Sequence, residues 1–597
     1  MTLEPSEQPP RRRDHRVAEK KRVMHFIRTR KGRYRVRALL ILAALLCGFG
    51  VAAQQAAPPE ALPAPVLRVT TRLVLVDVVV TDKKKQPVTD LTLKDFSLQE
   101  NGKPQRIAFF ALEQPARRAP EQEEGIEPPP LPPHVYTNRP EYRIPPGRVI
   151  LVLLDALNTS VRDQAAARAQ LLRYLAGQLQ PGRRTAILAL TNRLLLLQDF
   201  TADPRLLLAA LEKYKPQKSA PRARAEKIDR VIDPIYLSPS PEILANIERF
   251  QAEQVASAMD TRVRITLAAL QRIARATAGY PGRKSLVWVS SAFPITFAPG
   301  RIGNFPRSYA DAMRRTTNML ADARIALYVV DARGLVGTLI GDASNPLRNP
   351  VGNVRTRAEL HEALARYSTQ IEAPQQAMNH LAADTGGRAF YNRNDIDKAV
   401  ALSVEDGSTY YALAYYPENK DWDGKFRRIQ VKVARRGLRV RHRRGYYATD
   451  PTPPKEEAKT RQEKLLAVLN DPLPATAIAF RAQVPPPAPA DPAQVVVQFK
   501  VDPRTVAFEE VEDGRQRCNL DFLVAAVSPG GQVVAVAHQT LEARLRPETY
   551  AGVQQAGLPF RLALTLGPGR YRLRLAVRDN RTGWLGTLEV PLVVKNR

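Results

Sequence analysis

The feature that most constrains the fold is an apolar run that ends on a carboxylate. Residues 149–154 read Val-Ile-Leu-Val-Leu-Leu, and Asp155 follows directly. An uninterrupted apolar strand of this length is typical of a parallel sheet that helices cover on both faces. Residues 161–178 are rich in Ala, Leu and Arg and predict a helix. Strand, polar loop and helix together predict the opening unit of a doubly wound α/β domain, which places its ligands at the carboxyl edge of the sheet.

Two further apolar runs predict neighbouring strands of the same sheet. They lie at residues 284–291 and 325–330, and the second ends on Asp331. Helical spacing separates the runs, because residues 241–278 and 309–323 both have helical periodicity. Strands that alternate with helices predict a parallel sheet. Asp331 is therefore expected at the same sheet edge as Asp155, where it supplies a second candidate carboxylate.

The rest of the chain adds mainly β-structure. Residues 184–200 predict two strands joined by a turn, and Asp203 followed by Pro204 predicts the start of a helix over residues 206–214. Residues 410–447 are strongly β, with strands predicted at 410–415 and 428–434. From residue 475 onward, repeated β runs and turns predict an antiparallel β-sandwich that closes with a hairpin over 571–577 and 585–594.

The first 53 residues predict export. Residues 1–37 are polar and basic, and residues 38–53 are apolar without a charge, which is the layout of a secretory signal. A translation start at Met24 gives a more ordinary signal. The apolar stretch is also near the lower limit for spanning a bilayer, so an uncleaved membrane anchor is the alternative. Either arrangement puts the chain after residue 53 outside the cytoplasm.

Composition shifts divide the exported part into segments. A linker at 54–65 precedes a small β-module at 66–114, and a second linker at 115–146 contains ten prolines, which predicts the absence of regular structure. The α/β domain with its closing β-hairpin module covers 147–450. A third linker at 451–460 leads to a short helix and the β-sandwich at 461–597.

Three stretches carry a resemblance to a known family. The loop from Asp155 to Ser160 resembles the metal-ion-dependent adhesion loop of von Willebrand factor type A domains, which reads Asp-x-Ser-x-Ser. Its Asp-x-x-Asn-Thr form is similar to that of the bacterial VWFA-related family first described in acidobacteria. Residues 88–103 resemble the β-module that precedes the domain in that family, and residues 410–447 resemble its closing module. The resemblance implies a Rossmann-type, doubly wound central domain.

In type A domains the loop aspartate and two serines bind a cation together with a threonine and a second aspartate. Such an oxygen-only shell suits Mg²⁺ or Mn²⁺ and lets a partner carboxylate complete it. Here Leu157 stands at the second motif position, and no such threonine is identified in residues 215–261. Ser290 and Ser291 stand where the second aspartate is expected. The candidate metal ligands are Asp155, Asn158 and Ser160. The alternative is that Asp155 and Asn158 brace the loop through hydrogen bonds to backbone N–H groups.

Enzyme signatures are mostly absent from the sequence. Residues 278–285 resemble a phosphate-binding loop only superficially, because Arg283 replaces the required glycine and a strand follows in place of a helix. The histidines beyond residue 53 are scattered, at positions 134, 361, 380, 442 and 538. Cys518 is the single cysteine beyond the signal, which excludes a disulfide framework and predicts a core side chain or an unpaired thiol.

The net charge of +31 invites anionic partners. No basic motif is interleaved with aromatic residues, however, so no nucleic acid partner is expected. The sequence predicts an exported binding or scaffold protein that recognises a protein or glycan through the sheet edge around residues 155–160. Two alternatives remain: a structural envelope component that binds no ligand, and an enzyme whose site is unrecognised. Membrane attachment, if present, is expected through residues 38–53.

Overall fold

The computed structural model describes residues 73–114, 128–143, 148–177, 183–219, 241–291, 301–302, 305–306, 309–335, 373–450, 457–488, 491, 493–511 and 513–595. The predicted signal or anchor, the linker at 54–65 and His361 lie outside these residues. In the part of the chain that is described, no helix has both the length and the apolar character that crossing a bilayer requires.

The regular elements are numbered in chain order. The strands are β1 Val74–Thr81, β2 Phe96–Glu100, β3 Lys103–Gln105, β4 Ile107–Glu113, β5 Val135–Thr137, β6 Arg148–Asp155, β7 Arg183–Leu190, β8 Leu194–Thr201, β9 Lys284–Ser290, β10 Arg301–Ile302, β11 Phe305–Pro306, β12 Ile325–Asp331, β13 Arg388–Phe390, β14 Tyr410–Tyr415, β15 Phe426–Val433, β16 Arg439–Arg441, β17 Gly445–Tyr447, β18 Phe480–Gln483, β19 Gln494–Val501, β20 Glu509–Glu510, β21 Gln516–Val527, β22 Val533–Leu545, β23 Leu558–Thr565, β24 Gly569–Asp579 and β25 Leu585–Val594. The helices are α1 Val161–Gly177, α2 Pro204–Lys213, α3 Pro241–Thr277, α4 Ala310–Asp322, α5 Ala373–Asp384, α6 Ile396–Glu405, α7 Ala458–Val468 and α8 Pro547–Ala556.

The central sheet has the strand order β13-β12-β9-β6-β7-β8. All neighbours are parallel except β7 and β8, which form the predicted antiparallel pair at one edge. Along β6, Ile150, Val152 and Leu154 pack with side chains of α1, α2 and α6. Val149, Leu151 and Leu153 face the other way and pack with α3, α4 and α5. Helices on both faces explain why the strand sequence is continuously apolar, and the predicted α/β sheet is confirmed.

The strands on either side of the α/β domain in sequence form one flanking sandwich. Its two sheets have the orders β16-β1-β14-β4 and β17-β15-β2-β3. The predicted separate module at 66–114 is therefore completed by strands from residues 410–447. The predicted closing hairpin is wrong, because β14 and β15 lie in different sheets. β14 has β1 on one side and β4 on the other, which leaves it no free edge for β15.

The C-terminal strands form the predicted antiparallel sandwich. One sheet has the order β23-β19-β18-β5, and the other has β20-β21-β24-β25 with β22 paired to β21. The predicted final hairpin is the β24–β25 pair. Cys518 is a free, buried thiol inside this core, as expected.

The prediction that residues 115–146 lack regular structure is wrong at β5. This strand pairs antiparallel with β18, so the segment supplies an edge strand to the C-terminal sandwich. Its three residues, Val-Tyr-Thr, contain no proline and have high β-propensity, while the prolines stand on either side of them. The other predicted segment boundaries stay predictions.

Candidate functional site

The candidate site lies where the order of the central strands reverses. β6 and β9 are adjacent and parallel, but the chain continues from β6 toward β7 on one side and from β9 toward β12 on the other. At such a switch point the connections diverge and leave a crevice outside the carboxyl ends of the strands. β6 ends here with Asp155 and β9 ends with Ser290.

Asp155 is held by hydrogen bonds from several elements, and its residue is 2% exposed. Oδ1 accepts a hydrogen bond from the backbone N–H of Asn158 at 2.9 Å. Oδ2 accepts from three side chains, which are Asn158 Nδ2 at 2.9 Å, Trp288 Nε1 at 3.1 Å and Ser290 Oγ at 2.7 Å. The carboxylate therefore joins the end of β6 to its own loop and to β9.

Asn158 turns its amide nitrogen, not its oxygen, toward Asp155. Nδ2 also lies 3.0 Å from Thr266 Oγ1 on α3, while Oδ1 accepts a hydrogen bond from Arg262 Nε at 3.0 Å. The residue is 1% exposed. Asn158 thus links the loop to α3 with both ends of its side chain in use.

Ser160 begins α1. Its Oγ accepts a hydrogen bond from the backbone N–H of Asp163 at 3.1 Å, which is the geometry of a helix N-cap. Asp163 in turn accepts from Ser291 Oγ at 3.1 Å, and the N–H of Ser291 donates to Thr159 Oγ1 at 3.0 Å. The polar side chains of this edge consequently bond mainly to one another.

The charge state of Asp155 reflects its burial. Desolvation raises the pKa of this carboxyl, and the hydrogen bonds from Asn158 and Ser290 and the charge of Arg262 oppose the rise. The pKa still lies above its ordinary value, because the loss of water outweighs the donors. A nearby cation would act in the opposite direction and lower it.

The three candidate metal ligands do not fit Mg²⁺ or Mn²⁺ in this arrangement. Both oxygens of Asp155 accept hydrogen bonds from protein donors, Asn158 directs its oxygen to Arg262, and Ser160 Oγ caps a helix. A hard cation needs several oxygen ligands at one point, so binding here requires these bonds to break. Over the described ranges, no three side chains of His, Cys, Asp or Glu are grouped as a metal site. The metal site stays a prediction that this geometry does not favour.

Asp331 stands at the same sheet edge, but the structure does not bring it to Asp155. β12 is separated from β6 by β9, which places the two strands roughly 10 Å apart at normal sheet spacing. The Asp331 carboxylate instead accepts hydrogen bonds from the backbone N–H and the side chain of Arg333, including one of 2.7 Å from Nη2. Asp331 therefore closes its own loop.

No family model matches the chain, and no curated protein matches its sequence. One similar solved structure is an aerotolerance-related membrane protein from Bacteroides fragilis, 14% identical with a TM-score of 0.22, with 43% of this chain and 98% of that one covered. Another is a von Willebrand factor type A protein from Catenulispora acidiphila, 9% identical with a TM-score of 0.20, covering 76% of this chain and 67% of that one. A third is proximal thread matrix protein 1 of the mussel byssus, 8% identical with a TM-score of 0.20, covering 44% and 48%. At these TM-scores the similarities carry no argument about function.

Sequence reasoning missed three residues that build the site: Arg262, Thr266 and Trp288. Thr266 lies within α3, just beyond residues 215–261, the segment in which the resemblance implies a threonine ligand. Trp288 is fully buried in β9, with its side chain directed to the carboxyl edge. The only available signal was that an indole N–H inside an apolar strand needs an acceptor.

Proposed function

We propose that the chain is an exported, non-catalytic binding or scaffold protein. Its central domain is a doubly wound, von Willebrand A-like domain in which the Asp155 loop braces the fold instead of binding a metal. One observation carries this proposal. At the switch point, where α/β domains hold reactive groups, the carboxylate of Asp155 at the end of β6 is buried and hydrogen-bonded to protein donors. Export rests on the sequence pattern of residues 1–53.

A protein or glycan that binds at this sheet edge would contact the exposed residues around the Asp155 loop. Asp155, Asn158 and Thr159 are each at most 2% exposed and are not available to a partner. Val161 at the start of α1 is 44% exposed, and Arg162 beside it is also exposed. An apolar side chain next to a cation suits a partner surface with an acidic rim.

Calorimetric titration of Mg²⁺ and Mn²⁺ into the full chain tests the absence of a metal role. We expect no saturable heat at millimolar ion, because the ligand oxygens are already hydrogen-bonded. Asp155→Asn replaces an acceptor oxygen by an amide N–H₂ group that faces other hydrogen-bond donors. We therefore expect a loss of about 2–4 kcal/mol in the free energy of unfolding measured in urea. Adding Mg²⁺ should not change the size of this loss.

Ser160→Ala is the matched control at the same loop. It removes the N-cap hydrogen bond between Ser160 and the backbone N–H of Asp163. We expect a loss of about 1 kcal/mol in the free energy of unfolding, with no change in the response to metal. Saturable binding in the wild type that disappears in folded Asp155→Asn contradicts the proposal and restores the metal-dependent interpretation.

A further inference from the structure

Two neighbouring turns at one end of the flanking sandwich concentrate positive charge. β1 and β16 pair with Thr81 opposite Arg439, so the turn after β1 and the turn before β16 lie side by side. Their approach is close, because a Cβ on Gly437 would lie 3.6 Å from Lys83 Cε. Both turns are rich in Lys and Arg, and therefore their charges share one part of the surface.

The segment that leads into β2 belongs to the same end of the sandwich. The N–H of Ala434 donates to the carbonyl oxygen of Asp95 at 2.9 Å. Arg435 Nη1 lies 2.9 Å and 3.0 Å from the two carboxylate oxygens of Asp90. These contacts join the segment to the turn before β16. The joined segments form a surface that we name the basic end, which consists of residues 82–95 and 434–439.

The basic end carries more cations than carboxylates. It contains seven Lys or Arg side chains and three Asp, which leaves a net charge of +4. Asp90 pairs with Arg435. Asp82 and Asp95 each accept a hydrogen bond from a backbone N–H of their own turn. The other six cations are exposed and form no ion pair with a described residue, and they are Lys83, Lys84, Lys85, Lys94, Arg436 and Arg439.

An apolar side chain stands among these cations. Leu93 is 45% exposed and precedes Lys94 in a short 3₁₀ turn. Asp95 braces this turn, because its Oδ2 accepts hydrogen bonds from the N–H of Thr92 at 2.7 Å and from the Thr92 hydroxyl at 2.9 Å. A leucine gains little from contact with a charged polysaccharide or a nucleic acid backbone. At a bilayer, however, an apolar side chain enters the boundary between headgroups and acyl chains while cations remain among the headgroups.

We propose that the basic end binds the surface of a bilayer that contains anionic lipid. Each Lys or Arg near such a surface strengthens binding about fivefold, and insertion of Leu93 adds an apolar contribution. The basic end belongs to the flanking sandwich, whereas the Asp155 loop belongs to the α/β domain. The proposal therefore does not depend on metal binding or on recognition at the edge of the central sheet.

The test uses the full chain with an environment-sensitive fluorophore at the basic end. Residues 1–53 are basic and apolar and are expected to bind vesicles themselves, so the readout must be local. Leu93→Cys carries the fluorophore in a Cys47→Ser background, in which the remaining Cys518 is buried. Leu402→Cys is the matched control, because Leu402 on α6 is 42% exposed.

Vesicles of phosphatidylcholine with phosphatidylglycerol supply the anionic surface, and vesicles of phosphatidylcholine alone are neutral. On the anionic vesicles we expect emission from position 93 to shift to the blue and to gain intensity severalfold, because the fluorophore leaves water. Emission from position 402 should not change. Neutral vesicles should change neither position, and added salt should reverse the shift at position 93.

Removal of charge tests the role of the cations in the labelled Leu93→Cys chain. Lys84→Gln combined with Arg436→Gln is expected to lower the equilibrium constant for the shift about 30-fold. Lys213→Gln combined with Lys398→Gln removes the same charge from exposed positions of α2 and α6. This control should leave the equilibrium constant unchanged.

Three results would overturn the proposal. The first is the absence of a shift at position 93 on anionic vesicles. The second is an equal shift on neutral vesicles or an equal response of the two double variants, because charge then plays no part. The third is a shift that heparin produces and anionic vesicles do not, which assigns the basic end to an acidic polysaccharide.

Discussion

His442 lies partly buried between β16 and β17 and uses both ring nitrogens. Nε2 accepts a hydrogen bond from the backbone N–H of Val431 at 3.1 Å, and Nδ1 lies 2.7 Å from the carbonyl oxygen of Arg443, to which it donates. One donor and one acceptor define the neutral imidazole. Burial lowers the pKa of His442 below its ordinary value of 6.5, and the charge of Arg443 acts in the same direction. Folding therefore disfavours protonation of this residue.

This shift makes stability depend on pH. Between the lowered pKa of the folded state and the unfolded value near 6.5, the unfolded chain binds more protons. The stabilisation is thus present above pH 6.5 and is lost as the pH falls through the folded pKa. We expect the free energy of unfolding in urea to fall more between pH 7.5 and pH 5.5 in the wild type than in His442→Gln, by at most about 1.4 kcal/mol per pH unit.

His380→Gln is the matched control, because His380 is exposed on α5. This control separates the effect of the buried ring from the loss of a histidine in general. Equal slopes for the wild type and His442→Gln would show that the imidazole is not held neutral by the fold.

The passage from α5 to β13 shows how an element depends on its ends. Gly386 has φ +79°, and the N–H of Gly387 donates to the carbonyl oxygen of Ala382 at 2.8 Å, which ends the helix. Gly387 then passes β12 so closely that a Cβ there would lie 1.9 Å from the carbonyl oxygen of Leu327. Glycine is required at this point by the approach of two backbones.

Gly387→Ala is expected to lower the free energy of unfolding by at least about 3 kcal/mol, because the backbone of β12 or of the segment before β13 must move to make room for the Cβ. Gly177→Ala is the control at the end of α1, where a Cβ would meet nothing within 4 Å. That change should be neutral or stabilise by up to about 1 kcal/mol. Urea unfolding of the two variants compares them directly, and a tolerated Gly387→Ala would mean that β13 does not pack against β12 as described.

At the scale of the whole molecule, segments distant in sequence join the C-terminal sandwich to the α/β domain. Thr476 beside the C-terminal sandwich donates to the carbonyl oxygen of Ala276 at 2.9 Å and accepts from the N–H of Gly279 at 3.0 Å, at the end of α3. Asp471 adds an ion pair of 2.8 Å with Arg272. The sandwich is consequently bonded directly to the α/β domain.

Asn138 holds the segment that carries β5. It is 1% exposed, and its side chain bonds to three backbone groups: the carbonyl oxygens of Ala475 at 3.1 Å and Ile478 at 2.8 Å, and the N–H of Phe480 at 2.9 Å. These contacts add to the backbone pairing of β5 with β18, which the N–H of Asn138 continues by donating to the carbonyl oxygen of Phe480 at 3.4 Å. The buried amide thus satisfies three backbone groups beside the β5–β18 ladder and strengthens the attachment of this segment.

Asn138→Ala leaves these backbone groups without partners, so we expect a loss of about 3 kcal/mol in the free energy of unfolding and faster protease cleavage within residues 128–143. Limited proteolysis followed by mass spectrometry locates the cuts. Asn246→Ala, at an exposed position of α3, serves as the control and should leave both quantities unchanged. Equal cleavage in the two variants would remove Asn138 from this role.

The sequence by itself determined the α/β sheet, the start of the helix that follows Asp203, and the C-terminal sandwich. Each follows from local information: the length of an apolar run, a capping residue, or the alternation of a strand. Asp155 was also identifiable, because it stands where a buried strand ends.

Only the tertiary structure decided what Asp155 contacts and which strands pair. The donors to Asp155 come from β9 as well as from its own loop, and β1 finds its partner β14 more than three hundred residues away. Local propensity does not determine such partners, because strand register and buried hydrogen bonds depend on the packing of the whole chain. The same reason explains why the sequence predicts a linker where the structure has β5.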